Sequence, residues 1–229
     1  PLAGRVALTS RSRTVWLGAA LPAAIIGERI NPTGRKALAA EIREGSFAMV
    51  KRDALAQVKA GAQILDVNMG VAGINQAPVM KRAIEELSML LDVPLAIDTS
   101  DTAALEAALK QYPGRALINS VSAEPERLEQ FLPLAKRYGA AILCLPISPA
   151  GVPATAPERV AVIRQILTAA QAQGLRENDF ILDALTLTVA AEADAALQTL
   201  ATLHSYRQEF GYPSTMGLSN ISFGLPARD

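Results

Sequence analysis

The sequence predicts an α/β fold, namely a (β/α)8 TIM barrel. Seven short runs rich in Ile, Leu and Val alternate with longer Ala-, Leu- and Glu-rich stretches of helical period. The runs are apolar throughout, which is typical of parallel strands that are buried on both faces of a sheet. The turn after the first run reads Asn31-Pro32-Thr33-Gly34, whereas a dinucleotide-binding open sheet carries G-x-G-x-x-G there. The barrel is therefore favoured over the open sheet.

The predicted barrel is incomplete at its C-terminal end. A whole barrel takes about 250 residues, and the chain has 229. The eighth strand and two outer helices are missing from the pattern, so we expect that the chain continues beyond Asp229 in the parent protein or was cut.

The first 22 residues stand apart from the alternating pattern. They carry Arg5, Arg11 and Arg13 and end in Gly18 and Pro22. We interpret residues 1–22 as a linker or leading arm with at most one short strand, at Val15–Leu17, and residues 23–229 as the barrel domain.

The elements of the barrel follow in a regular order. The predicted strands are Ala23–Ile30, Ile64–Met69, Pro94–Thr99, Ala116–Ser120, Ala140–Pro146, Phe180–Leu185 and Thr215–Asn220. Helices are predicted near 47–60, 76–91, 102–111, 125–138, 157–173 and 191–210. Asp101 and Thr155 precede two of the helices and are suited to cap them. Three helices, near 47–60, 125–138 and 157–173, end at a glycine, as helices often do.

Composition excludes several classes of protein. Lys plus Arg and Asp plus Glu are 22 each and aromatics are 4%, which argues against a nucleic-acid partner. No apolar run reaches the roughly 18 residues of a membrane span, and no signal peptide is visible, so we expect a cytoplasmic protein and no membrane partner. Cys144 and His204 are the only residues of their kinds, and we interpret them as a core residue and a surface or packing residue.

Polar side chains follow six of the seven predicted strands at or near their C-terminal ends. These are Glu28, Asn31, Asp66, Asn68, Asp98, Asn119, Asp183 and Asn220. In a parallel barrel these ends converge on one mouth, where the fold places its chemistry. A carboxylate can accept two adjacent N–H groups of a pterin- or guanine-like ring, and an amide can serve the neighbouring carbonyl or ring nitrogen. A Mg²⁺ site from Asp66, Asp98 and Asp183 is the open alternative, but the amides favour a heterocycle, so we expect no metal.

The same segments resemble a known family. Gly27–Gly34, Leu65–Asn68, Ile97–Ser100, Ile118–Ser120 and Gly217–Pro226 are similar to the motifs of the methyltetrahydrofolate:corrinoid methyltransferases, over about residues 23–229. The resemblance implies a pterin-binding barrel that transfers the N5 methyl group of methyltetrahydrofolate to cob(I)alamin, as a step in methionine synthesis. The two reactants would be methyltetrahydrofolate, which is the methyl donor, and cobalamin.

The resemblance also assigns roles to residues of this sequence. The position of Asn220 matches the residue that stabilises N5 as the methyl group departs, so Asn220 is the expected catalytic residue. The expected pterin-binding residues are Asp98, Asn119 and Asp183 at the ring edge, with Glu28 and Asn31 on the pocket floor. By their position in the loops, Thr33, Gly34, Arg35 and Arg228 are suited to the outer part of the substrate.

The implied partner is a separate cobalamin-binding module, because no D-x-H-x-x-G cobalamin motif occurs in this chain. The leading arm resembles the connection that leaves the homocysteine-binding module of cobalamin-dependent methionine synthases. We therefore favour the folate module of such an enzyme over a stand-alone methyltransferase of the acetyl-CoA pathway.

Three other functions remain open. A non-catalytic folate-binding module would use the same pocket without turnover. Dihydropteroate synthase uses the same barrel, but its Asn-Val-Thr-Pro-Asp-Ser-Phe segment is replaced here by Asn31–Arg35, and its second-strand motif by Asn68–Gly73. An aldolase would need a Schiff-base lysine at a strand end, and no predicted strand carries one.

Overall fold

The structure, a computed structural model, describes residues 4–226. The strands are β1 (Arg5–Thr9), β2 (Thr14–Gly18), β3 (Ile26–Ile30), β4 (Ile64–Asn68), β5 (Leu95–Asp98), β6 (Leu117–Val121), β7 (Ala141–Cys144), β8 (Phe180–Asp183) and β9 (Ser214–Thr215). The α-helices are α1 (Lys36–Arg43), α2 (Ala48–Lys59), α3 (Gln76–Leu90), α4 (Thr102–Gln111), α5 (Pro125–Tyr138), α6 (Ala156–Ala172) and α7 (Ala195–Glu209). Short 3-10 helices cover Glu177–Asp179 and Leu218–Ser222.

The seven strands β3 to β9 form one parallel sheet in which every strand pairs with the next along the chain. The sheet curls into part of a barrel, with the helices packed on its outside. The predicted α/β fold class, an incomplete TIM barrel, is confirmed. None of the helices within residues 4–226 is long and apolar enough to cross a membrane.

Each strand of the sheet separates two apolar layers, because successive side chains point to opposite faces. Leu65, Val67, Ile97 and Ile118 face outward and pack with the buried sides of the helices. The alternate residues face inward and form a second cluster, which consists of Ile64, Ala96, Leu117, Ala141, Leu143 and Ile181. This second cluster fills the N-terminal half of the barrel interior.

The first segment is a hairpin rather than a linker or arm with one strand. β1 and β2 are antiparallel, and their buried residues Val6, Leu8 and Val15 belong to the inward cluster. The alternation of apolar residues at 6, 8, 15 and 17 is too short to stand out in the sequence. It becomes stable because one hairpin face closes the N-terminal end of the barrel.

Hydrogen bonds fix the hairpin to the barrel. The Thr9 N–H donates to the carbonyl of Arg115 over 3.1 Å, and the Arg115 N–H donates to Thr9 Oγ1 over 2.7 Å. The Arg115 guanidinium donates to the Ala7 carbonyl over 2.8 Å and pairs with Asp179 over 2.5 Å. Gly114 permits this approach, since a Cβ there would overlap the Thr9 carbonyl.

The helices begin and end largely where the sequence predicts. Asp101 caps α4 by accepting the Ala104 N–H over 2.9 Å, and Thr155 forms a capping box with Glu158 at α6. Gly139 ends α5 in the left-handed conformation. Helix α1 is an addition to the predicted set.

The last predicted strand, Thr215–Asn220, is wrong over most of its length. Only Ser214–Thr215 pair with β8, and Leu218–Ser222 turn into a 3-10 helix. The Asn220 N–H donates to the Gly217 carbonyl over 3.0 Å, so local turn hydrogen bonds replace the sheet ladder from residue 217 onward.

Candidate ligand site at the mouth of the barrel

Six polar side chains share the inward parity of the strands. They are Glu28 on β3, Asp66 and Asn68 on β4, Asp98 on β5, Asn119 on β6 and Asp183 on β8. Each follows an inward apolar residue by two or four positions in its strand, such as Ile64 before Asp66 and Ala96 before Asp98. The barrel interior is therefore apolar at the N-terminal end and polar at the C-terminal mouth, where a ligand would meet a ring of acids and amides.

Two amides hold two carboxylates inside this ring. Asn119 Nδ2 donates to Asp66 Oδ1 over 2.9 Å, and Asn68 Nδ2 donates to Asp98 Oδ2 over 2.8 Å. The second amide is itself fixed, because Asn68 Oδ1 accepts the Gly70 N–H over 2.7 Å. These bonds orient the carboxyl groups before any ligand arrives.

Burial disfavours the ionisation of more than one of these acids at a time. Burial and the nearby Asp98 carboxylate raise the pKa of Asp66 to about 8, against the opposing hydrogen bond from Asn119. Burial also raises the pKa of Asp98, opposed by the bond from Asn68. Because two buried carboxyl groups that interact electrostatically cannot both be charged at low cost, the Asp66–Asp98 pair retains a proton near neutral pH. The pair can therefore both donate to and accept from a heterocycle.

Asp183 is the third inward acid, and the backbone after β8 orients it. The Leu185 N–H donates to Asp183 Oδ1 over 2.7 Å, with Leu185 in the left-handed conformation at φ 53°. Burial raises the pKa of Asp183 to about 6, the Leu185 N–H opposes the rise, and Glu28 and Arg159 shift it further up and down respectively. Asp183 is therefore largely ionised at neutral pH.

Glu28 lies at the rim of the same ring. Its side chain is exposed, yet the surrounding protein and the Asp98 carboxylate raise its pKa. Within residues 4–226, no side chain or backbone group donates to Asp66 Oδ2, Asp98 Oδ1 or Asp183 Oδ2. These oxygens are the acceptors that the mouth offers to a ligand.

The loop after β3 holds its polar residues differently. Asn31 Oδ1 accepts the Thr33 N–H over 2.9 Å, which makes a local turn, and Thr33 and Gly34 are exposed. Arg35 pairs with Asp53 of α2 over 2.6 Å and also donates to the Arg29 carbonyl. The structure therefore directs the Arg35 guanidinium to α2, whereas the sequence suggested the substrate.

The expected catalytic residue lies at the end of the described chain. Asn220 is exposed in the 3-10 helix, and its amide lies against Gly217, where a Cβ would come within 2.6 Å of Nδ2. No bond joins Asn220 to the inward ring among the described residues. Arg228 lies outside the described residues.

Other titratable residues lie away from this mouth. His204 is exposed on α7, and burial raises the pKa of the Cys144 thiol. No group of three His, Cys, Asp or Glu side chains within the described residues is arranged to hold a metal ion. A surface cavity of about 410 Å³ is lined by Ser100, Arg127, Phe131 and their neighbours but by none of the inward acids.

Asp66 and Asn68 were predicted to lie at the mouth but were not among the binding residues expected from the resemblance. The sequence did carry an indication of their role. Both lie in the Leu65–Asn68 motif, and both point to the same face of the strand as Ile64. The structure adds that Asp66 accepts from Asn119 across β5, a contact that depends on barrel curvature and leaves no mark in the sequence.

Comparison with known proteins supports a pterin-binding site. The family model described as "Pterin binding enzyme" matches residues 27–228. A methylcorrinoid:tetrahydrofolate methyltransferase of Eubacterium limosum is 31% identical over 212 residues, which are 89% of this chain and 76% of that protein. A methionine synthase of Mycobacterium tuberculosis is 29% identical over 88% of this chain, which spans only 18% of that relative's length.

Solved structures share the fold. A dihydropteroate synthase of Yersinia pestis with a pterine-sulfa conjugate superposes with a TM-score of 0.68 at 20% identity, covering 93% of this chain and 77% of that one. The dihydropteroate synthase of Vibrio fischeri gives 0.65 at 22% identity, covering 95% and 79% of the two chains. At these identities the likeness shows the fold alone.

Proposed function

Because this chain belongs to the pterin-binding enzymes, in the branch of the methyltetrahydrofolate:corrinoid methyltransferases, we propose that it binds methyltetrahydrofolate at the barrel mouth. It transfers a methyl group between N5 of that folate and a corrinoid. The observation that carries the proposal is the inward ring, in which two amides pre-orient Asp66 and Asp98 and the backbone orients Asp183.

The acids and amides at the mouth suit a pterin because the acids differ in their protonation. Asp183 is charged at neutral pH and can accept two N–H groups of the aminopyrimidine edge as a charge-assisted pair. The Asp66–Asp98 pair retains a proton, so it can donate to a ring nitrogen or carbonyl while it accepts from another group. We assign Asp98, Asn119 and Asp183 to the ring edge. Glu28 and Asn31, which the sequence placed on the pocket floor, are assigned to the rim of the pocket.

The outer part of the folate lies toward the loops in this proposal. Thr33 and Gly34 are exposed beside the mouth, and Arg228 follows the 3-10 helix in sequence. For Arg35 to contact the folate, its guanidinium must first leave Asp53, with which it is paired.

Catalysis in this proposal depends on N5, because an amine anion is a poor leaving group. A polar group that binds N5 more strongly in the transition state than in the bound substrate lowers the barrier. Asn220 takes this role. Its exposed position, beside Gly217, leaves its amide able to turn toward a ligand that fills the mouth.

A corrinoid is too large to enter the barrel, so a separate module presents it to the open mouth. The corrinoid supplies a nucleophilic metal that accepts the methyl group. The chain supplies the folate site and a polar rim on which the module docks. That the parent protein also carries a homocysteine-binding module and makes methionine in the cytoplasm is part of the same proposal.

The test is calorimetric titration of methyltetrahydrofolate into Asp98→Asn and Asp183→Asn. Each change removes one charge-assisted pair, which contributes about 1.5–3 kcal/mol, so Kd should rise by roughly tenfold to a hundredfold. Glu85→Gln, which changes an exposed acid of α3, is the matched control and should bind as the unaltered protein does.

Three results would count against the proposal. Unchanged affinity in both variants would move the pterin away from the inward ring. Formation of dihydropteroate from p-aminobenzoate, with no consumption of cob(I)alamin in the presence of methyltetrahydrofolate, would assign the chain to the other reaction of this barrel. Folate binding with neither methyl transfer nor dihydropteroate formation would show that the chain is a folate-binding module without catalytic activity.

A further inference from the structure

Arg159 is a fully buried arginine beside the candidate site. It lies in the first turn of α6 and exposes 0% of its surface. Its Nη1 donates to the Ala184 carbonyl over 3.1 Å, and its Nε donates to the Pro153 carbonyl over 3.2 Å. One guanidinium thus joins the loop after β7 to the loop after β8, both at the C-terminal end of the barrel.

The Ala184 carbonyl belongs to the segment that orients Asp183. The Tyr206 hydroxyl donates to the Asp183 carbonyl over 3.1 Å, and the Leu185 N–H donates to Asp183 Oδ1 over 2.7 Å. Leu185 has a positive φ of 53°, which a branched side chain adopts only when its surroundings impose it. Bonds on the two preceding carbonyls impose this backbone.

The charge of Arg159 is not neutralised by an ion pair among the described residues. Its Nη2 is buried and has no protein hydrogen-bond partner. A buried cation with so few partners is costly, so packing alone does not account for an arginine here. The charged and titratable groups that face it are Tyr206, Glu192, Asp194 and Asp183, in that order of effect on its pKa, which burial lowers.

We propose that Arg159 is a positioning residue for the pterin, which acts by holding Asp183 in its binding orientation and by favouring the charged form of that carboxylate. The inference rests on the proposed function, since it assumes that Asp183 receives the ligand. The guanidinium of Arg159 contributes in two ways, which experiments can separate. The fork of donors fixes the backbone, and the positive charge opposes the rise in the pKa of Asp183 that burial causes.

Three variants separate these contributions. Arg159→Met removes both the N–H donors and the positive charge. Arg159→Lys keeps the charge but lacks the planar pair of donors that reaches both loops. Tyr206→Phe removes only the hydrogen bond to the Asp183 carbonyl. Arg164→Met is the matched control, because Arg164 lies on the same helix and pairs with Glu209 at the surface. Kd for methyltetrahydrofolate is measured by calorimetry from pH 5 to 9, and folding is followed by circular dichroism.

The unaltered protein should bind folate more weakly as pH falls through about 6, where Asp183 takes up a proton. Arg159→Met should shift this midpoint upward by about one pH unit. This shift by itself raises Kd at pH 6.5 roughly threefold and has almost no effect at pH 9, where only the effect of the lost donors remains. Arg159→Lys and Tyr206→Phe should raise Kd by a factor that is the same at every pH. Arg164→Met should change neither.

A pH-independent loss in Arg159→Met equal to that in Arg159→Lys would overturn the electrostatic role. Affinity equal to that of the control in all three variants would overturn the whole inference. If Arg159→Met does not fold, an unaltered Kd in both Arg159→Lys and Tyr206→Phe would still refute it. Absence of folate binding by the unaltered protein would instead refute the proposed function, so the two failures are distinguishable.

Discussion

At the scale of single residues, the protonation of Asp66 makes the barrel interior sensitive to pH. Its pKa is about 8 in the folded protein and about 3.9 in an unfolded chain. Between these values the folded state binds more protons, so the free energy of unfolding falls as pH rises. Asp66→Asn keeps an oxygen for Asn119 and has no charge to bury.

We therefore expect Asp66→Asn to raise the free energy of unfolding by several kcal/mol more at pH 8.5 than at pH 5. Urea denaturation at the two pH values measures this. Glu85→Gln should follow the unaltered protein. Stability curves for Asp66→Asn and the unaltered protein that run parallel over pH would show that Asp66 is not protonated in the fold.

Asn220 provides a second prediction at this scale. Asn220→Ala should slow methyl transfer to cob(I)alamin by on the order of 100-fold while the Kd for methyltetrahydrofolate changes little. The reason is that an interaction made only in the transition state affects the rate and not ground-state binding. Single-turnover absorbance gives the rate, and calorimetry gives Kd. Equal losses in both would make Asn220 a binding residue.

The roles of residues were predictable to different degrees. Glu28, Asp98, Asn119 and Asp183 were predicted to face one mouth, because strand parity and parallel order are local properties of the sequence, and the structure places them there. The partner of Arg35 was not predictable. Its bond to Asp53 depends on how α2 docks, which no local pattern records.

At the scale of elements, the hairpin β1–β2 is part of the barrel core. Leu8 is fully buried with inward residues of five strands of the sheet. Leu8→Ala should lower the free energy of unfolding by about 3 kcal/mol through lost burial and the cavity left behind. Trp16→Ala, on the outer face and 45% exposed, is the control and should cost about 1 kcal/mol or less. Urea midpoints that agree for the two variants would mean that the hairpin does not seal the barrel.

The elements that sequence analysis predicted well are those with long apolar periods or clear caps. Strands β4 to β8 and helices α2 to α7 have the predicted type and lie near the predicted positions. Three misses have physical causes. The hairpin and α1 are short, and a short segment carries little periodic signal. The residues after β9 are apolar enough for a strand, but Gly217 allows the Asn220 amide to close a turn over it.

At the scale of the whole molecule, ligand binding should add to global stability. A ligand that binds only the folded state stabilises it by about 2.7 kcal/mol at a free concentration of 100 times Kd. For a domain of this size that corresponds to a rise in Tm of roughly 5–10 °C. Differential scanning fluorimetry with methyltetrahydrofolate measures it, and p-aminobenzoylglutamate, which lacks the pterin, should give no rise. A rise with p-aminobenzoylglutamate alone would place recognition outside the inward ring.

The attachment of the hairpin has a consequence for synthesis on the ribosome. Thr9 and Ala7 bond to Arg115, which in turn pairs with Asp179, so the hairpin and its anchor cannot make their full set of contacts until some 170 later residues have emerged. At about 5–20 residues per second this delay is roughly ten to thirty seconds. During that time Val6, Leu8 and Val15 lack the complete sheet that covers them in the fold, and an isolated two-stranded hairpin is barely stable in water. The hairpin is therefore the segment of this barrel for which protection by a chaperone during synthesis would matter most.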